Sequence, residues 1–128
     1  MEKSFLIDTN ILIYYTGDFI PKETIDHVDE IFTSSFNISV ITKLEYLGWD
    51  QYNEDQYKIA VTFIDSSTVL MLDNDIVETT IQLQRRFRMK LPDAIIAATC
   101  LVHGLTLVTR NIEDFKSLSD LAVYNPFP

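Results

Sequence analysis

The chain has 128 residues, 47% of them apolar, and a formal net charge of −9 from 19 acidic against 10 basic side chains. That length fits one domain of the usual ~100–150 residues spanning 1–128, and that apolar content can fill a core, which excludes a disordered or many-domain chain. A single cysteine excludes an internal disulfide framework, no apolar run approaches membrane-span length, and the acidic balance argues against a nucleic-acid binder of the ordinary basic kind.

Ser4–Asp8 reads as a short buried strand, followed by an apolar stretch of helical capacity from Asn10 to Tyr15. The N-terminal apolar run is too short for a signal-peptide core, so the expected compartment is the reducing cytoplasm. Gly17 and Pro21 mark a turn, and residues 22–33 carry Ile25, Val28, Ile31 and Phe32 at helical spacing. Asn37–Val40 is a second strand candidate and Thr42–Trp49 a helix. Residues 54–64 place Tyr57, Val61 and Ile64 on one helical stripe, Thr68–Leu72 is a strand, and residues 75–88 form an amphipathic helix through Ile76, Thr80, Leu83 and Phe87.

Pro92 opens the next helix in its first turn, where a missing N–H costs nothing. The body of this helix, Ala94–Val102, is apolar almost all round and predicts burial, Cys100 included; Gly104 suits a left-handed C-terminal position. Leu105–Thr109 is a strand, Ile112–Leu118 a short helix and Leu121–Tyr124 a weak last strand. Strands alternating with helices predict an α/β/α sandwich around a parallel sheet of four to five strands, with ligands expected at the carboxyl ends of the strands.

Four acids stand beside hydrophobic runs: Asp8 in FLIDTN, Glu45 in ITKLEYL, Asp93 in LPDAIIAA and Asp114 in TRNIEDF. Each has an ordinary structural explanation. Asp8 can cap the helix after it, Asp93 can answer a helix dipole, Thr42 and Glu45 fit a capping box, and Asn111 to Asp114 fit turn chemistry. Together these explanations account for less. Glu45 stands at the edge of an apolar helix face, where an inward carboxylate needs a partner or a cation. Like charges gathered in one crevice take up protons or bind metal, and a carboxylate pocket holding a hard divalent cation is suited to phosphodiester hydrolysis.

With these residues in view, the chain resembles the PIN-domain ribonucleases, and among them the VapC-type toxins of prokaryotic toxin–antitoxin pairs. The motifs are a strand ending in Asp-Thr-Asn, an inward Glu within Ser39–Leu47, Leu-Pro-Asp-Ala before an Ala-rich helix, and Leu-Val-Thr-Arg-Asn-x-x-Asp-Phe near the end. They extend from Phe5 to Phe115. The resemblance implies Asp8, Glu45, Asp93 and Asp114 as the catalytic, metal-binding set, supported by Thr9, Asn10 and Thr109. Relatives place the fourth acid either where Asp114 stands or two residues after the threonine, at Asn111; Asp114 is taken here, with Asn111 adding a neutral oxygen or a hydrogen bond. The implied cofactor is Mg2+ or Mn2+. The implied reaction is endonucleolytic cleavage of RNA to 5′-phosphate and 3′-hydroxyl ends.

Arg85, Arg86, Arg88 and Lys90 gather just ahead of Asp93 and are candidates for gripping RNA phosphates, against the ordinary reading of a solvated helix end. The apolar stripes of residues 22–33 and 54–64, with Phe32, Phe36, Trp49, Tyr52, Tyr57 and Phe63 close by, are core or, as the resemblance implies, part of a groove for a cognate antitoxin on a homodimer. The rival readings are a phosphoacceptor receiver-like signalling domain, a dehalogenase-type phosphatase and a non-catalytic PIN scaffold module. Asp8 lacks the acidic neighbour and Thr109 the following lysine that a receiver needs, D-T-N departs from the phosphatase D-x-D, and no Gly-rich loop supports dinucleotide binding.

Overall fold

A computed structural model describes residues 3–128. Five short parallel strands, β1 (Phe5–Ile7), β2 (Asn37–Ser39), β3 (Thr68–Leu70), β4 (Thr106–Val108) and β5 (Val123–Tyr124), lie in the order β3-β2-β1-β4-β5. Six helices cover them: α1 (Thr9–Thr16), α2 (Ile25–Ser34), α3 (Val40–Leu47), α4 (Glu54–Asp65), α5 (Asn74–Phe87) and α6 (Leu91–His103).

The central strands β1 and β4 bury both faces, which is why they read as nearly continuous apolar runs, while the edge strands β3 and β5 are partly exposed. Successive side chains alternate across the sheet. Phe5 and Ile7 join a core with Ile11, Leu12, Val28, Ile31, Ile38, Ile64 and Val108, beneath α1, α2, α3 and α4. Leu6 points the other way, with Leu107, into Ile76, Leu83, Ala94, Ala97 and Ala98 of α5 and α6. The small residues of α6 let its middle, Ala94–Cys100, lie buried against the sheet, with Leu101 and Val102 half-buried, and the Cys100 thiol is pushed above the usual range by burial first and by the charge of Asp8 second. Each large apolar side chain removed from water in these two layers stabilises the fold by roughly 1.5–3 kcal/mol before entropy is counted.

Element ends follow local chemistry. Pro92 sits in the first turn of α6 and Gly104 ends it at φ 66°. Asn53 and Gln56 form a reciprocal capping box on α4. Helix α3 begins earlier than Thr42, the start expected from sequence, because buried Ser39 caps it, its Oγ accepting from Ile41 N at 3.2 Å. The box between Thr42 and Glu45 therefore does not form, and Thr42 is buried inside the helix. The expected short helix from Ile112 is a 3-10 turn over Ile112–Phe115.

Candidate active site at the switch point of the sheet

From β1 the chain runs outward on one side to β2 and β3 and on the other to β4 and β5, so β1 and β4 flank the switch point where open α/β sheets form ligand crevices. Ile7 is in register with Val108, which brings the next residues, Asp8 and Thr109, side by side at the carboxyl ends. Asp8 is 6% exposed and Thr109 fully buried.

One carboxylate meets several demands at Asp8. Its Oδ1 accepts from the Thr9 backbone N–H at 2.8 Å and so caps α1. Its Oδ2 accepts from Thr109 Oγ1 at 2.7 Å and Asn10 Nδ2 at 3.0 Å. Asn10 Nδ2 also donates to Thr109 Oγ1 at 3.2 Å, which in turn accepts from Asn111 N at 3.0 Å. Thr9 carries the network to the neighbouring helix: its hydroxyl donates to Glu45 Oε1 at 2.7 Å and lies 3.1 Å from Thr42 Oγ1. Glu45, read from sequence as facing inward, is exposed at the mouth and fastened to Thr9.

Asp93 stands in the first turn of α6 and Asp114 in the 3-10 turn. Two of the four acids, Asp8 and Asp93, are shifted by their surroundings. Burial raises the pKa of Asp8 above the ordinary carboxylate value, the hydrogen bonds from Thr109, Thr9 and Asn10 oppose this, and the charge of Glu45 adds to it. Asp93 is raised first by burial, then by Asp114 and Asp8, with Lys90 opposing and Glu45 adding. Of the two positions considered for the fourth acid, Asp114 acts on Asp93 through its charge, while Asn111 contributes its backbone N–H.

Among the described residues, no three carboxylate, imidazole or thiol groups converge closely enough to hold a metal ion as they stand. The donor chemistry nevertheless fits a hard cation. The crevice offers carboxylate and hydroxyl oxygens without sulfur or imidazole, its acids are mutually repelling, and neither Asp93 nor Asp114 has an ion-pair partner among the described residues.

Of the basic group, only Lys90, at the N-terminal edge of α6, bears on the acids. Arg85 and Arg86 are exposed in the last turn of α5, and Arg88 ends that helix in the left-handed region at φ 56°. His27 and His103 are exposed and away from the crevice, in keeping with their lying outside every motif. Two participants were not read as site residues from sequence: Thr42, taken only as a capping partner of Glu45, and Arg110, whose backbone N–H donates to Asn10 Oδ1 at 3.2 Å. Position beside a site residue was the only available signal for either.

An open groove of about 790 Å³ between α1, α3 and α4 is lined by Ile13, Phe19, Trp49, Tyr52, Ile59 and Phe63. It adjoins a smaller pocket of about 270 Å³ that reaches Glu45. A separate cavity of about 530 Å³, lined by Lys3, Phe5, His27 and Tyr124, opens at the amino ends of β1 and β4 and contains none of the site residues.

The family described as PIN domain matches residues 5–121. The chain is 28% identical to a protein named Ribonuclease VapC1 from Rickettsia felis, covering 92% of each. It is similar in structure to a toxin–antitoxin complex from Klebsiella pneumoniae, with 31% identity, a TM-score of 0.77, and 97% of this chain and 98% of that one covered. A DNA-bound VapBC from Salmonella typhimurium matches with a TM-score of 0.82 over 98% of this chain and 100% of that one, at 23% identity.

Proposed function

The chain belongs to the PIN-domain family, and from that premise we propose that it is a divalent-metal-dependent endoribonuclease and the toxin of a toxin–antitoxin pair. The observation that carries the reading is the hydrogen-bonded chain from Thr109 through Asp8 and Thr9 to Glu45, with Asp93 near enough to feel the charges of Asp114, Asp8 and Glu45. The similarity to Ribonuclease VapC1 from Rickettsia felis and to the toxin–antitoxin complex from Klebsiella pneumoniae supports both halves of it.

Asp8, Glu45, Asp93 and Asp114 are the residues that would hold Mg2+ or Mn2+. A hard dication bound there supplies Lewis acidity, lowering the pKa of a water and stabilising charge at the phosphodiester. The chain does the rest. Thr109 and Asn10 fix the direction of the Asp8 carboxylate, and Thr9 does the same for Glu45, the outer hydrogen bonding that orients metal ligands. Asn111 holds the Thr109 hydroxyl through its backbone N–H. Lys90, with Arg85, Arg86 and Arg88 on the adjoining helix end, draws the RNA strand toward Asp93.

The aromatic groove suits an apolar antitoxin segment, whose occupant could reach Glu45 through the adjoining pocket. Exposed Met71 and Leu72 after β3, with Val77 and Ile81 one turn apart on α5, support pairing of two copies as a homodimer. No helix of the described residues is long and apolar enough to cross a membrane, and the working compartment we propose is the cytoplasm.

The decisive experiment is cleavage of single-stranded RNA by purified protein with Mg2+ or Mn2+, with and without EDTA, beside Asp93→Asn. Wild type is expected to cut, EDTA to stop it, and the variant to lose more than about 100-fold while staying folded. Full cleavage by Asp93→Asn would remove the acids from the mechanism.

A further inference from the structure

Arg110 follows Thr109, the residue that braces Asp8, and its backbone is tied to Asn10 on the other side of the crevice. Its side chain leaves the acids. The guanidinium carbon lies 4.2 Å from the centre of the Phe127 ring and 5.1 Å from that of Tyr14, and these two rings meet edge-on with centroids 4.9 Å apart. Tyr14 stands four residues after Asn10 in α1, on the same helix face one turn along. The ring that carries the cation therefore belongs to a residue ~5–6 Å along α1 from Asn10, which braces Asp8, and the cation lies at the rim of the site.

Phe127 is itself anchored. The Pro126 carbonyl accepts from Thr24 Oγ1 at 2.8 Å, the Phe127 N–H donates to Asn125 Oδ1 at 3.0 Å, and Pro126 is buried. The end of the chain thus folds back to carry one ring to the active-site rim. Arg110 is exposed and, among the described residues of this acidic chain, forms no ion pair with any carboxylate. A guanidinium lying on aromatic rings keeps its N–H edges available for a planar or tetrahedral oxyanion and loses little freedom on binding one. Its guanidinium is held by Tyr14 and Phe127 rather than by the acids, which suits it to a phosphate beside the reacting one.

We propose that Arg110 is a substrate-binding residue that grips a phosphate of the RNA strand next to the scissile one, with Phe127 and Tyr14 as positioning residues that hold its guanidinium in readiness. This rests on the ribonuclease reading.

The test compares wild type, Arg110→Gln, Arg110→Lys and Phe127→Leu for thermal midpoint and for KM and kcat on a single-stranded RNA oligonucleotide with Mg2+. The salt dependence of RNA binding is measured in an Asp93→Asn background. Arg110→Gln is expected to raise KM about 10-fold, leave kcat within about twofold and shallow the log–log salt slope by about 0.7, one phosphate contact on a single strand. Arg110→Lys and Phe127→Leu are expected to keep the slope while weakening affinity about threefold, because charge remains and preorganisation is lost. Wild-type KM and slope in Arg110→Gln overturn the proposal, whatever that variant does to capture of a protein partner. A loss of affinity at unchanged slope in Arg110→Gln overturns it too, since a structural role leaves the ion count alone. If Arg110→Gln unfolds at the assay temperature, Arg110→Lys decides: wild-type affinity, or weakened affinity with a lowered thermal midpoint, overturns the proposal, and weakened affinity at a retained slope and an unchanged midpoint supports it. A wild type that cuts no RNA fails the ribonuclease reading and takes this inference with it, whereas a cutting wild type with an unresponsive Arg110 fails this inference alone.

Discussion

Asp8 divides its carboxylate between two tasks, one oxygen capping α1 and the other accepting from Thr109 and Asn10. Thr109→Val removes the hydroxyl without changing the side chain's shape. It leaves the Asn111 amide without its acceptor and the buried Asp8 Oδ2 with Asn10 as its remaining donor, at a cost of about 1–3 kcal/mol. Thermal melting should fall accordingly, and cleavage should drop by about 10–100-fold because the carboxylate is no longer held. Asp93 behaves in the opposite sense. Its pKa in the fold lies above the ordinary carboxylate value, so the folded chain holds this proton more tightly than the unfolded one. Below the unfolded pKa the group is neutral in both states. As pH rises through the folded pKa its charge destabilises the metal-free fold. In EDTA, Asp93→Asn should therefore melt higher than wild type above about pH 5 and level with it near pH 3, read by thermal denaturation across that range. A higher midpoint for wild type at neutral pH would show that the acids do not strain one another.

At the scale of elements, helix ends carry most of the local information. Asp73, Asn53 and Ser39 each cap a helix with a side-chain oxygen, and Gly104 takes the left-handed position its lack of a Cβ permits. Arg88 takes the same conformation at the end of α5 with a full side chain, which costs about 1 kcal/mol relative to glycine. Arg88→Gly should raise stability by that amount in urea melts. If Arg88 serves RNA, the same variant should bind the strand more weakly, so that stability and affinity move in opposite directions. Unchanged affinity would make the residue a plain helix end.

For the molecule as a whole, three surface features bear on its proposed partners: the crevice of Asp8, Glu45, Asp93 and Asp114, an aromatic groove beside it, and exposed apolar residues on α5 and at the end of β3. Isolated protein is expected to scatter light as a dimer at micromolar concentration. Ile81→Glu, on α5 at 41% exposure, should yield monomers that keep their melting cooperativity. A wild type of strictly monomeric mass would assign those apolar residues to another partner.

Much of this was legible in the linear chain. Alternation of buried runs with helical stripes predicts the layered parallel sheet, because strands covered on both faces must be apolar throughout. Pro92 and Gly104 mark the bounds of α6 because backbone geometry admits few other residues as readily there. The acids could be picked out because a carboxylate beside a hydrophobic run requires a reason. Tertiary structure alone decided which contacts they make. Glu45 has no local clue to its bond with Thr9, since α1 and α3 are distant in sequence and are brought side by side only by the pairing of β1 with β2. Ser39 rather than Thr42 caps α3 because β2 delivers that hydroxyl to the buried carboxyl end of the strand. Arg110 finds Phe127 only because the last residues return along α1. Local sequence determines elements through propensity and capping, which act over a few residues. The pairing of distant hydroxyls, acids and rings depends on strand order and register, which the whole core sets together.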